Sequence, residues 1–242
     1  MRRVRLALGA ALLATACALL LLACSTAEAP PSTVTPETPT PLATPGEAAI
    51  TIDSPAEGET VTTPVEVSGT ASVFEATLFV AVRDSQGRTL CQVVTMASEG
   101  APGRGDFEVS LGLVPPDKET DAEVVAYTRS PKDGSIQDEV IVPITLSAEA
   151  PPVVITTPQC GQEVTSPVLV EGSAAPGAEV EIVISGLFGG EMGRATIQAN
   201  AQGGFSGEVE VEQLEQAQTG LIESSLAGDG ATLFSVPVVL VP

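Results

Sequence analysis

The 242-residue chain contains no histidine and no tryptophan, a single tyrosine at Tyr127 and only two lysines, Lys118 and Lys132. Without histidine there is no Ser-His-Asp triad, no Cys-His nucleophile pair and no histidine-based zinc site. The motifs G-x-S-x-G, S-x-x-K and the phosphate-cradling P-loop are absent as well. With aromatic residues at 3% of the chain, there is little from which to build a sugar-stacking platform beside a pair of catalytic carboxylates. These gaps argue against an enzyme and call for no cofactor. Base of either kind is also scarce: Arg2, Arg3 and Arg5 lie at the very start, leaving seven basic residues to face all 31 acidic ones. A surface of that sign repels nucleic acid and anionic headgroups, so no nucleic-acid partner is expected.

What is present begins with a cationic start and an apolar run over residues 6–23, followed by Cys24. This is the layout of a secretory signal. The stretch Leu21-Leu22-Ala23-Cys24 resembles the lipobox of bacterial lipoproteins, and on that resemblance residues 1–23 are a signal peptide and Cys24 is the lipidated mature N-terminus. Ala14-Thr15-Ala16-Cys17 is a competing match, and an uncleaved membrane anchor is the alternative, since 18 apolar residues reach the lower limit for a span. Both readings put the rest of the chain outside the cytoplasmic membrane of a bacterium, attached to it through Cys24 or the anchor. Residues 25–48 hold six prolines and six threonines with nothing larger than Leu42 on which to build a core. They read as an extended tether, reaching roughly 75 Å in polyproline geometry.

Beyond the tether the chain repeats itself. SPAEGETVTTPVEVSGTA (residues 54–71) returns as TPQCGQEVTSPVLVEGSA (residues 157–174), with nine of eighteen positions identical. Val65 and Val67 alternate with Glu66 and Ser68, as Val168 and Val170 do with Leu169 and Glu171, the period of a half-buried strand. Pro55 and Gly58, like Pro158 and Gly161, mark a turn before it. Gly105-Asp106-Phe107 is answered by Gly203-Gly204-Phe205, Asp133-Gly134 by Asp229-Gly230, and IVPITL by SVPVVL. Pro143 and Pro237 cannot donate to a ladder, so each last strand is an edge strand or turns that position away from its neighbour. The spacing predicts an all-β chain: two tandem immunoglobulin-like β-sandwiches of about seven strands, over residues 49–146 and 153–242, joined by residues 147–152. At most a brief helical turn fits residues 211–218.

The first copy carries Ser54-Pro55, Gly58, Pro64, Val67-Ser68-Gly69, Phe74-Glu75, Asp84 with Gly87, Phe107-Glu108 and the run from Ser130 to Ser135. In these it resembles the immunoglobulin-like domain of bacterial spore germination. The second copy has Gly177-Ala178 in place of Phe74-Glu75 and is similar to bacterial immunoglobulin-like domains in general. The resemblance implies a non-catalytic module of an envelope lipoprotein.

The candidate sites are few. Lys132 and Asp133 sit where a sandwich loop tip could contact a partner, although Asp133-Gly134 equally serves a hairpin turn. Phe188 lies at the tip of the glycine-rich 186–193 loop. Asp117, Glu119 and Asp121 alternate as carboxylates that could face calcium, or simply lead a solvated loop into a strand. Cys91 and Cys160 remain once Cys24 is acylated, in a compartment that tolerates disulfides. Two readings stand: a bridge between the domains, or a buried free thiol at Cys91 with Cys160 open to an intermolecular link. The second is favoured by placing Cys160 along a strand leaving the seam, about 20 Å away at strand rise. The expected function is to bind or position another envelope component, most simply a protein; the alternatives are a passive spacer or assembly subunit and a cell-wall or carbohydrate-binding module.

Overall fold

The computed structural model describes residues 46–186, 189–212, 214–228 and 234–242; Cys24 and Phe188 lie outside them. In the first sandwich, β1 (Ile50–Ser54), β3 (Val65–Ala71) and β6 (Gly105–Leu111) form one sheet in the order β1-β3-β6. The other holds β2 (Thr60–Val61), β4 (Thr77–Asp84), β5 (Thr89–Met96), β7 (Thr120–Arg129) and β8 (Ile136–Leu146), in the order β2-β8-β7-β4-β5. The second sandwich repeats this plan. Its sheets are β9 (Val154–Thr157), β11 (Val168–Ser173) and β14 (Gly204–Val209), ordered β14-β11-β9, and a five-stranded sheet ordered β10-β16-β15-β12-β13. The latter comprises β10 (Glu163–Val164), β12 (Glu179–Gly186), β13 (Glu191–Gln198), β15 (Gln218–Leu226) and β16 (Phe234–Leu240). Each copy thus has seven full strands and one of two residues, which pairs in parallel with the last strand. Among the described residues of 211–218 there is no helical turn.

Period-two patterning does the packing. Val65 and Val67 are fully buried while Glu66 between them is exposed, and Val168 and Val170 flank an exposed Leu169 in the same way. Aliphatic side chains fill both cores, Leu78, Val80, Val82 and Val124 in the first and Ile182, Ile184, Ile222 and Val238 in the second, around Phe107 or Phe205 from the three-stranded sheet, with Phe234 of β16 buried in the second core as well.

The repeated punctuation has a defined task at each position. Gly58 and Gly161 take left-handed φ values of 76° and 75°, and their N–H groups donate to the carbonyls of Pro143 and Pro237 at 2.8 Å. Because N–H and C=O of one strand residue point the same way, each proline's missing donor faces the short parallel strand, away from the antiparallel ladder. Gly69 and Gly172 lie where another strand crosses closely: a Cβ there would stand 2.0 Å from the Thr51 carbonyl or 2.1 Å from that of Val154. The hydroxyl preceding the third-strand proline closes one end of each sandwich. Thr63 Oγ1 donates to Leu113 O at 2.7 Å and accepts from Leu113 N at 2.8 Å, and Ser166 Oγ does the same for Val211 at 3.2 and 3.0 Å.

The cysteines depart from the favoured sequence reading. Cys91 and Cys160 are disulfide-bonded, with Cα atoms 5.3 Å apart. The 20 Å estimate assumed that the chain runs straight out of the seam. Instead β9 is only four residues long, and Cys160 occupies the turn that follows it, level with the free edge of β5 where Cys91 sits. Gly112 explains how the two sandwiches approach: a Cβ at that position would come within 2.2 Å of Ser235 O and 2.8 Å of Phe234 Cε1. Beside this contact Leu113, Leu146, Ile155 and Val236 line an apolar cleft of about 360 Å³.

Asp84, at the rim of that cleft, organises the β4–β5 turn. Its Oδ1 accepts from the N–H groups of Gln86 and Arg88, both at 2.9 Å, and its Oδ2 from Arg88 Nε at 2.6 Å. The Arg88 backbone bond, with the guanidinium and the Gln86 amide, holds the carboxyl below its ordinary range. A group whose folded pKa is depressed stabilises fully above its unfolded value, about 3.9, and that contribution fades as pH falls through the folded value. We expect the amide resonances of Gln86 and Arg88 to move together below about pH 4 and to be flat above it; a transition near neutrality would contradict this arrangement.

Candidate partner-binding site

The outer face of the five-stranded sheet in the first sandwich is not the solvated polar surface that alternation alone implies. Phe79 on β4 stands directly opposite Tyr127 on β7, and the rings stack with centroids 5.2 Å apart and planes 9° from parallel. Cross-strand aromatic pairs of this kind add to sheet stability. Tyr127 is 1% exposed, and its hydroxyl donates to Gln92 Oε1 at 2.6 Å. Two arginines lie over the rings. Arg83 is 5.7 Å from the Tyr127 centroid, and Arg129 is 5.3 Å from Tyr127 and 5.2 Å from Phe79. Their stems help bury a face that charges would otherwise leave open.

The two guanidinium groups differ in what holds them. Arg83 is ion-paired to Glu139 at 2.9 Å, as Arg88 is to Asp84, Arg104 to Glu47 at 3.5 Å and Arg194 to Glu181 and Glu191. Arg129 alone among the described arginines has no carboxylate within ion-pairing distance. It donates only to Gly134 O at 3.2 Å and to the Tyr127 hydroxyl at 3.3 Å.

Arg129 borders a hollow of about 280 Å³ between a 3-10 turn at Phe74–Ala76 and the β7–β8 hairpin, with Phe74, Glu75, Phe79, Pro131 and Asp138 among its walls. The backbone around it is strained. Glu75, Ala76 and Asp138, with φ of 52°, 57° and 54°, are the only described non-glycine residues in the left-handed region. Such conformations cost on the order of 1–3 kcal/mol each and persist where surrounding structure imposes them. Here the β5–β6 connection does so: Ala97 N donates to Ala76 O and Ala101 N to Val73 O, both at 2.8 Å, while Gly100 leaves no room for a Cβ beside Ala76 N. Asp138 sits at the irregularity in the β7–β8 ladder, where its Oδ2 accepts from Thr128 Oγ1 at 3.0 Å. The turn leaves Phe74 75% exposed, the most open of the large apolar side chains described.

The candidates drawn from sequence fall into place unevenly. Lys132 and Asp133 are exposed at the tip of the β7–β8 hairpin. Much of that run serves the turn: Ser130 N donates to Ser135 O, Gly134 N to Ser130 O, and Gly134 has φ 73°. Asp133 accepts from Ser135 Oγ at 2.7 Å and Ser135 N at 3.1 Å, which holds its carboxyl below the ordinary range. Pro131 of the same run lines the hollow, so the Phe74-Glu75 pair and the 130–135 run meet there. Asp117, Glu119 and Asp121 are exposed, and among the described residues no group of three or more acidic or cysteine side chains could hold a metal ion. Phe79, Arg83, Tyr127 and Arg129 escaped the sequence reading. The signal was present in the i, i+2 spacing of Tyr127 and Arg129, which puts the chain's single tyrosine and an arginine on one strand face.

Comparison with known proteins adds the family of the first copy. None of the curated proteins matches the chain. Among solved structures, the tetra-tandem repeat in the extending region of a large adhesion protein is 17% identical, with a TM-score of 0.25, covering 73% of this chain and 44% of that one. Native Escherichia coli alpha-2-macroglobulin is 13% identical (TM-score 0.29, 84% of this chain and 15% of that one), and dimeric latent PorU from Porphyromonas gingivalis 9% identical (TM-score 0.29, 79% and 20%). The chain therefore spans less than half the length of each, and at such scores these likenesses carry no argument about function. The family model of the immunoglobulin-like domain of bacterial spore germination matches residues 49–135, which hold both the Phe74 turn and the Arg129 strand: the first sandwich is a domain of that family.

Proposed function

We propose that this protein is a non-catalytic, extracytoplasmic adaptor, anchored to a bacterial membrane through Cys24, whose first sandwich binds and positions another envelope protein at the Phe74 hollow. The observation that carries the reading is Phe74 itself. An apolar ring held three-quarters exposed by a turn with two left-handed residues, beside the apolar walls of Phe79 and Pro131, presents a contact surface on a backbone that costs energy to hold. A passive spacer requires stiffness, which the bridged seam supplies, but it has no need of that ring. A cell-wall or carbohydrate-binding module would be expected to present several open aromatic faces, whereas among the described residues Phe74 is the one exposed ring, Tyr127 being buried and Phe79 stacked on it. The disulfide supports an oxidising compartment, and the lipobox resemblance supports the anchor.

Crosslinking the full-length protein in intact cells, followed by mass spectrometry, tests the adaptor reading. A discrete protein recovered with the wild type and lost with Phe74→Ala at unchanged melting temperature is the expected result; self-links alone would favour the spacer. Labelling with a palmitate analogue tests the anchor, and labelling that survives Cys24→Ala would refute it.

A further inference from the structure

Resting on that reading, we infer that Arg129 is the specificity element of the hollow and takes a single carboxylate of the partner, an acidic side chain or chain terminus next to an apolar residue that packs on Phe74. The chain carries 31 acidic residues against ten basic ones, so an arginine should find an acid of its own, and every other described arginine does. Arg129 is instead fixed by the Phe79 and Tyr127 rings and two long hydrogen bonds. A guanidinium has five N–H donors in a planar fork suited to bidentate pairing with a carboxylate. Two are engaged, and stacking on rings orients the remainder at no cost in side-chain freedom when a ligand arrives.

The walls narrow the ligand further. Phe74, Phe79 and Pro131 offer apolar surface beside the cation. Glu75 and Asp138 border the same space, and Asp138 is already bonded to Thr128. Both carboxylates, together with a net charge of −21, disfavour a polyanion such as nucleic acid and favour one carboxylate flanked by neutral or basic groups. The second sandwich has Gly177-Ala178 in place of Phe74-Glu75, so the site belongs to the first copy alone.

Side-chain NMR of the full chain in detergent micelles, with 15N-labelled arginine, tests this with N-acetylphenylalanine as the minimal probe. We expect the Arg129 Nε signal to titrate with the acid at least tenfold more tightly than with N-acetylphenylalaninamide, while Arg83, already paired, stays still. Phe74→Ala should weaken the response and Arg129→Gln abolish the accompanying shifts of the Phe74 and Glu75 amides. Equal response to the amide, an equal response to D-glucuronate, or the same titration at Arg83 would each overturn the inference. If Phe74→Ala loses its crosslinked partner yet Arg129 ignores the acid, the adaptor reading survives and this assignment falls. Titration of Arg129 by the acid, with no crosslinked partner in cells, upholds the carboxylate site and removes the adaptor reading.

Discussion

Reducing the Cys91–Cys160 bridge, or replacing both cysteines with serine, will lower the melting temperature of the sandwich pair by about 10 °C. The bridge closes a loop with a sequence separation of 69, and chain-entropy arguments put such a closure at about 4 kcal/mol. For a pair of this size each kcal/mol corresponds to about 2–4 °C. The loop contains β6, β7, β8 and β9, so it constrains the unfolded ensemble of the first sandwich and the orientation of the second together. Cys91 is 2% exposed while Cys160 is half-buried, so attack by a small thiol would come at the Cys160 side. The second consequence is at the seam. The close fit of Gly112 on Ser235, the apolar lining of the neighbouring cleft, the approach of β5 to Pro237 and Val239, and the 147–152 link would then be left to hold the sandwiches together. Calorimetry with and without reductant measures the first effect, and small-angle scattering the loosening of the second. An unchanged melt and an unchanged radius would mean that the bridge constrains nothing.

Gly69→Ala and Gly172→Ala will each destabilise their own sandwich by about 3 kcal/mol, the upper part of the range for overpacked sites. The added Cβ at position 69 meets a backbone carbonyl, Thr51 O, at 2.0 Å and the Phe107 ring at 2.9 Å; at position 172 it meets Val154 O at 2.1 Å and the Phe205 ring at 2.4 Å. A carbonyl in a ladder cannot step aside without separating the first strand from the third. Both sites lie beside a register shift in that pairing, which is where the chain already departs from regular geometry to make the approach. Gly58→Ala is the control. It has φ of 76° but open space around the Cβ, so the cost is that of a left-handed alanine, roughly 1–2 kcal/mol. Equal losses at all three positions would show that backbone conformation, and not the close crossing, governs the glycine in the repeat.

The bridge and the paired glycines also mark where local sequence stops informing the fold. The strands and the tandem plan were legible because alternation at Val65 and Val67, and again at Val168 and Val170, is a local signal with one geometric meaning. The turn role of Gly58 and Gly161 and the outward-facing donor position of Pro143 and Pro237 were legible for the same reason. Why Gly69 and Gly172 recur was not, since the Thr51 and Val154 carbonyls that require them are brought near by pairing across the sheet. The bridge failed for a related reason. Strand rise gives the distance along a strand but not where the strand ends, and β9 ends before Cys160. The hollow was the least legible part. Its walls come from residues 73–79 and 128–138, and left-handed Glu75 and Asp138 carry no glycine to announce the turn. Lys132 and Asp133 pointed at the right hairpin, though the hairpin residues that line the hollow are Thr128, Arg129, Pro131, Gln137 and Asp138.

Whether something in the envelope covers Phe74 separates an adaptor from a spacer. The most direct measurement places a photo-crosslinking benzoylphenylalanine at position 74 of the full chain in living cells, with the same group at Leu169 as a control, an apolar side chain 45% exposed on the second sandwich. An adaptor gives one recurrent protein adduct from position 74 and none from position 169; loss of that adduct in Arg129→Gln bears on the carboxylate site alone. Adducts of the same pattern from both positions, or none from either, would contradict it.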